Sequence, residues 1–290
     1  MIMPYYQLTR VKQDIYRITS PENVFMELLI GSDHALLIDT GYGFGDLRSA
    51  VREVTDKPLY IVNTHGHVDH TCGNFRFEEN VYISEDDMDL LRRHNQASYR
   101  EYSAELARHT INWETGQEFN GLPEDFDPDR YAKGGVGHIC PLREGMVFDL
   151  GGKTVLAVST PGHTRGSISF FYEEENWLYA GDAANMFLWL FGRDAADKET
   201  YIRTLDKIVA LAPERIYGGH APKPFSPDDV AMFKRAALEA DYDHGIPFST
   251  PIMPECTDIR VCILGDKTME DIGKPGFYAI LLDRSRGTLC

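Results

Sequence analysis

The chain has 290 residues, 43 % of them apolar and 26 % charged, which is enough to bury a sizeable core and excludes a mostly disordered chain. Its 45 Asp and Glu against 29 Lys and Arg leave a formal net charge of −16, a field that repels phosphate backbones and anionic lipids. No nucleic-acid or membrane partner is therefore expected, and no apolar run approaches the roughly 18 to 20 residues of a spanning helix.

Residues 1–10 lack a basic region followed by an apolar stretch, so no secretory signal is expected. The five cysteines, Cys72, Cys140, Cys256, Cys262 and Cys290, are odd in number, widely spaced and without a CxxC pair. That pattern fits a reducing, cytoplasmic setting rather than a disulfide framework. Ile15–Thr19, Val24–Ile30 and Ala35–Asp39 are short apolar runs that predict strands, with Gly31–His34 as a hairpin loop. A glycine-punctuated loop, Gly41–Gly45, leads into a helix over Asp46–Val54, where Leu47, Val51 and Val54 recur at helical spacing. Pro58 closes it, and Leu59–Val62 predicts another strand. Strand, loop, helix, strand suggests an α/β layered fold.

Ser84 followed by Glu85, Asp86 and Asp87 reads as the capped start of a helix reaching His109. From Thr110 to Cys140 the periodicity dissolves around Pro123 and Pro128. A long irregular segment of this kind is often a lid or binding loop. Further strands are predicted at Val147–Leu150, Thr154–Ser159, Ser167–Tyr172 and Trp177–Ala180, and helices at Lys198–Leu211 and Pro227–Asp241. Ile259–Leu264 and Tyr278–Leu282 predict two last strands, which could extend a sheet or serve a homo-oligomeric contact.

The decisive segment is Thr64-His65-Gly66-His67-Val68-Asp69-His70. Imidazole is the commonest metal ligand, and carboxylate is another that zinc accepts. In an extended stretch His65, His67 and Asp69 would share one side; His70 requires a turn, so two donor sets point different ways. That suits two metals better than one. The apolar run Leu59–Val62 stands just before it, and the same grammar recurs. Val155–Ser159 precedes Thr160-Pro161-Gly162-His163, and Trp177–Ala180 precedes Gly181-Asp182. Ile216-Tyr217 precedes Gly218-Gly219-His220, and Ala35–Ile38 precedes Asp39. In α/β sheets, sites gather at the carboxyl ends of strands.

With its HxHxDH segment His65–His70, His163 in TPGH, Asp182 in AGD and His220 in GGH, the sequence resembles the metallo-β-lactamase superfamily over roughly residues 10 to 225. The resemblance implies an αβ/βα four-layer sandwich of two facing mixed β-sheets with outer helices. It would form one domain spanning 1–290, with a lid-like insertion at about 85–140 and a C-terminal extension at about 226–290. It implies His65, His67 and His163 on one metal, Asp69, His70 and His220 on a second, and Asp182 bridging. Asp39 would support the site from behind by hydrogen bonding. The expected cofactors are two divalent ions, zinc first and iron or manganese as alternatives. The expected function is hydrolysis of a small ester, thioester or lactone by metal-bound hydroxide, which Asp69 also orients. An iron-dependent redox or sulfur-handling protein and a non-catalytic metal-binding module are the alternatives on the same ligands.

Departures narrow the field. Asp182 stands where one antibiotic-degrading subclass has Cys, and His67 where flavodiiron proteins usually have Glu. Asn185 replaces the Tyr of acyl-homoserine lactonases, although Tyr179 or Tyr217 could approach the site instead. The acidic balance disfavours the nuclease branches. Glyoxalase II-like thioester hydrolases share all seven ligands, and their basic C-terminal residues are thinly matched by Lys234 and Arg235. Tyr131, Lys133 and His138 in the irregular segment, Asn185, and Lys223 near His220 are the candidate substrate contacts. His34, His94, His109 and His244 read as surface or packing residues, and Cys72 as a small packing residue. Phe187, Trp189 and Phe191 read as core, or as the wall of an apolar pocket.

Overall fold

The computed structural model describes residues 5–112 and 115–284, so Cys290 lies outside the described residues. The chain divides into two compact units. One runs to Ala157 and takes in Tyr172–Glu174; the other takes Val158–Phe171 and the chain from Glu175 on.

The first unit is built on a seven-stranded mixed sheet. Its strands are β1 (Gln7–Lys12), β2 (Ile15–Thr19), β3 (Phe25–Ile30), β4 (Ala35–Ile38), β5 (Leu59–Val62) and β6 (Asn80–Ser84), and the seventh is described below. β1 to β4 form an antiparallel meander, and β4, β5 and β6 run parallel. β3 to β5 are almost wholly buried, which explains why they read as continuous apolar runs rather than alternating ones. Helix α1 (Leu47–Arg52) begins where Asp46 accepts from the Ser49 backbone N–H at 3.1 Å. Leu47 and Val51 pack with Met26, Leu28, Leu37 and Ile61 in the core.

After β5 comes the short helix α2 (Val68–Thr71). The helix predicted from Ser84 to His109 is two, α3 (Met88–His94) and α4 (Ala97–Ala107), because Asn95 turns its side chain back onto the Leu91 carbonyl. The segment read as irregular has structure. β7 (Thr110–Ile111) pairs antiparallel with β8 (Glu118–Phe119), α5 (Pro128–Ala132) follows, and β9 (His138–Leu142) joins the sheet parallel to β6. Elements of two to five residues are too short to show a period, and tertiary contacts hold them. Tyr131 packs among Phe44, Phe126, Ala104 and Leu122. β10 (Val147–Asp149) and β11 (Thr154–Ser159) close the unit as a hairpin. Its turn needs Gly151 and Gly152, both at positive φ (79° and 76°).

In the second unit β12 (Ile168–Tyr172) neighbours β13 (Trp177–Gly181). β14 (Phe187–Leu190), α6 (Lys198–Leu211), β15 (Arg215–Gly218) and α7 (Pro227–Glu239) follow, and β15 pairs parallel with β13. The C-terminal strands β16 (Ile246–Phe248), β17 (Ile259–Ile263) and β18 (Ala279–Asp283) form a second sheet with β14, in the order β14-β18-β17-β16. Asp197 caps α6, and α7 carries a full capping box between Ser226 and Asp229. The chain is thus mixed α/β, as expected, with several mixed sheets. Among the described residues no helix is long and apolar enough to cross a membrane.

Candidate metal centre

Each candidate donor follows a strand. Asp39 comes directly after β4, and Thr64 and His65 come two and three residues after β5. In the second unit His163 follows β11, Asp182 follows β13, and His220 follows β15. The chain turns sharply at Asp39, which sits at φ 63°, a region that costs a non-glycine residue about 1 to 2 kcal/mol. The turn aims its carboxylate inward. Oδ1 accepts from the Thr64 backbone N–H at 2.7 Å, and Oδ2 accepts from Thr64 Oγ1 and from His70 Nδ1, both at 2.8 Å.

These bonds choose the ring nitrogens. Thr64 Oγ1 gives its proton to Asp39, so it accepts from His65 Nδ1 at 3.0 Å, leaving His65 Nε2 as the donor atom. His70 likewise spends Nδ1 on Asp39 and turns Nε2 toward Asp69 Oδ2, 3.5 Å away. His65 Nε2 and His67 Nδ1 stand 3.1 Å apart. In the second unit, His163 Nδ1 donates to the Trp189 carbonyl at 2.8 Å. His163 Nε2 and His220 Nε2 both face Asp182 Oδ2, at 3.6 and 3.4 Å.

Those separations test whether the donors fit a metal. Ligands 2.0–2.2 Å from one tetrahedral ion stand about 3.3–3.6 Å apart. The N–O separations of 3.4 to 3.6 Å are near that edge and longer than an ordinary N–H···O hydrogen bond. The donors are imidazole nitrogens and carboxylate oxygens, which divalent zinc, iron or manganese accept. Burial disfavours charge on His70, but the carboxylates of Asp69 and Asp39 outweigh it and raise its pKa well above the ordinary value in the metal-free protein.

Backbone packing holds the ligand segment in place. Asp87, read in the sequence only as a favourable charge at a helix start, is buried and accepts from the Gly66 N–H at 2.8 Å. Gly73 must be glycine, since a Cβ there would lie 2.1 Å from the Thr40 carbonyl oxygen. His94, expected to be a surface or packing residue, is buried and stacks on His67 (5.1 Å between centroids, 19° between planes) and on Tyr99 (4.1 Å, 18°). None of these carries a local sequence signal, because each contact joins segments far apart in the chain.

The candidate substrate contacts scatter. Tyr131 is buried under the insertion, in the aromatic cluster with Phe44 and Phe126. Lys133 and His138 are exposed, the latter at the start of β9. Asn185 accepts from the Phe187 N–H at 3.0 Å and so shapes the entry to β14. Lys223 is exposed in the loop before α7. Tyr179 and Tyr217 are buried and stack on each other between β13 and β15. Cys72 is fully buried, as its packing role required.

A profile of the metallo-beta-lactamase superfamily matches residues 21–220. The human acyl-coenzyme A thioesterase MBLAC2 is 24 % identical over 230 residues, covering 72 % of this chain and 76 % of that protein. The atrochrysone carboxyl ACP thioesterase of Aspergillus fumigatus is 29 % identical over 153 residues, 51 % of this chain and 26 % of that one. Among solved structures, an archaeal metallo-beta-lactamase superfamily protein from Sulfolobus tokodaii superposes with a TM-score of 0.53 at 20 % identity, covering 81 % of this chain and 89 % of that one.

Proposed function

Because the chain belongs to the metallo-beta-lactamase superfamily, we propose that its His and Asp donors hold two divalent cations, zinc first, and that it hydrolyses an acyl thioester. The assignment of His65, His67 and His163 to one ion, of Asp69, His70 and His220 to the other, and of Asp182 between them is part of that proposal. The observation that carries it is the donor geometry: oriented ring nitrogens and carboxylate oxygens at separations close to the edge of a metal coordination shell. The choice of thioester among the carbonyl substrates of the superfamily rests on the two thioesterase relatives.

Bound cations would bring a water molecule's pKa down to about 7 and polarise a carbonyl. The chain's own residues supply orientation. Asp39 locks His65, through Thr64, and His70 directly. The Trp189 carbonyl locks His163. Asp69, more open at 17 % side-chain exposure than Asp182 at 9 %, would be the carboxylate that accepts a hydrogen bond from the attacking water. No separate general base is required.

Elemental analysis joined to a hydrolysis panel tests this reading. Two equivalents of zinc, with thioester turnover that a chelator abolishes, are expected. Iron accompanied by oxygen consumption would replace the hydrolase with a redox protein. Two zincs without turnover on ester, thioester, lactone, lactam or phosphodiester would make the chain a binding module.

A further inference from the structure

We propose that the C-terminal sheet carries the subsite for the substrate's acyl chain, an aromatic patch of Phe187, Trp189 and Phe248 continued outward by Ile246; this rests on the thioesterase reading. Cross-strand register puts Trp189, Leu281, Val261 and Ile246 on one face, with Phe187, Ala279 and Ile263 in the next row. Phe248, two residues from Ile246 on β16, shares that face. Leu281, Val261 and Ala279 are closed off beneath it. Above them the rings converge from the two edge strands. Phe187 and Phe248 lie 5.7 Å apart, and Trp189 and Phe248 lie 6.5 Å apart. All three aromatics remain half-buried, and Ile246 is 46 % exposed.

The three rings pack on the buried cluster and still leave part of their surface uncovered, side by side with Ile246. The face thus leaves an apolar surface open, and its position says what it meets. β14 is an edge strand, and on it the Trp189 carbonyl holds the candidate metal ligand His163 at 2.8 Å. The aromatic patch therefore shares strand β14 with the carbonyl that orients His163. A thioester bound there has a polar carbonyl for the donors and needs apolar surface for its acyl chain. Both strand β14 and the extension strands β16 to β18 are required to build the patch, which gives the C-terminal extension a role in specificity.

The test is a chain-length series of acyl-coenzyme A thioesters (acetyl, octanoyl, palmitoyl) on the metal-loaded protein. Trp189→Ala and Phe248→Ala should each lower the palmitoyl-to-acetyl ratio of kcat/KM by about tenfold. Ile246→Asp, at an exposed position that does not endanger folding, should lower the ratio through palmitoyl alone. A wild-type ratio in all three variants overturns the proposal. If the wild type cleaves no thioester, the thioesterase reading falls, and calorimetry with palmitate reads the patch by itself. Binding that Phe248→Ala weakens about tenfold supports the patch; absent binding overturns it. An Ile246→Asp variant that turns a dimer into monomers without changing the ratio would reassign this face to contact between copies of the chain.

Discussion

Asp39 orients two imidazoles at once. Its carboxylate binds His70 directly and reaches His65 through the Thr64 hydroxyl. Groups that orient ligands in this way typically change metal affinity by about 10- to 100-fold when removed. Asp39→Ala should therefore weaken zinc binding within that range, read by competition with a chromophoric chelator. His67→Ala and Asp69→Ala should abolish turnover while circular dichroism stays near that of the wild type; wild-type rates in either would refute the site. Protonation supplies a further check. A metal takes only the neutral His70 imidazole, and in the metal-free protein the Asp69 and Asp39 carboxylates raise the His70 pKa. Protons therefore compete more strongly as pH falls, so apparent zinc affinity should drop steadily from about pH 8 to about pH 5. A flat profile would show that His70 is not a ligand.

At the scale of elements, the mid-chain insertion is held by one buried cation. Arg100 is fully buried on α4. Its guanidinium bonds the Cys72 carbonyl at 3.0 Å, the Asn95 side chain at 2.6 Å and the Gly135 carbonyl at 2.6 Å, and lies over the Phe75 ring. It thus ties the end of the ligand segment to the α3–α4 break and to the loop before β9. Arg100→Met strands several buried acceptors, each costing about 1 to 3 kcal/mol. The variant should lose at least about 3 kcal/mol in urea unfolding and become sensitive to proteolysis within residues 115–128. On α7, Ser226→Ala removes half of a capping box and should cost about 1 kcal/mol, visible as a lower Tm. Elements differ in how far the sequence reveals them. α6 is legible to the residue because a cap and fourteen periodic positions agree. β6, β14 and β16 are not, because three to five residues without alternation look alike whether strand or loop.

For the whole molecule the net charge of −16 acts on binding rather than on fold. It draws divalent cations toward the acidic surface and disfavours polyanions. If the donors hold metal, folding and loading are linked, and a chelator should lower the Tm. A cation at a thousandfold above its Kd stabilises by about 4 kcal/mol. An unchanged Tm on stripping would mean that no tightly held ion contributes to the fold.

Which residues are the candidate donors, and that each stands just past a strand, was legible in the sequence alone, since residue identity and apolar runs are local properties. Family and fold class followed from the same local grammar. Which nitrogen of His65, His70 and His163 stays open was decided only by tertiary structure, through Asp39, Thr64 and the Trp189 carbonyl. The same holds for the burial of Tyr131, the stack of His94 on His67, and the open aromatic face of the C-terminal sheet. All of these are contacts between segments distant in the chain. Their partners are chosen by packing, and packing leaves no period, spacing or motif in a single sequence.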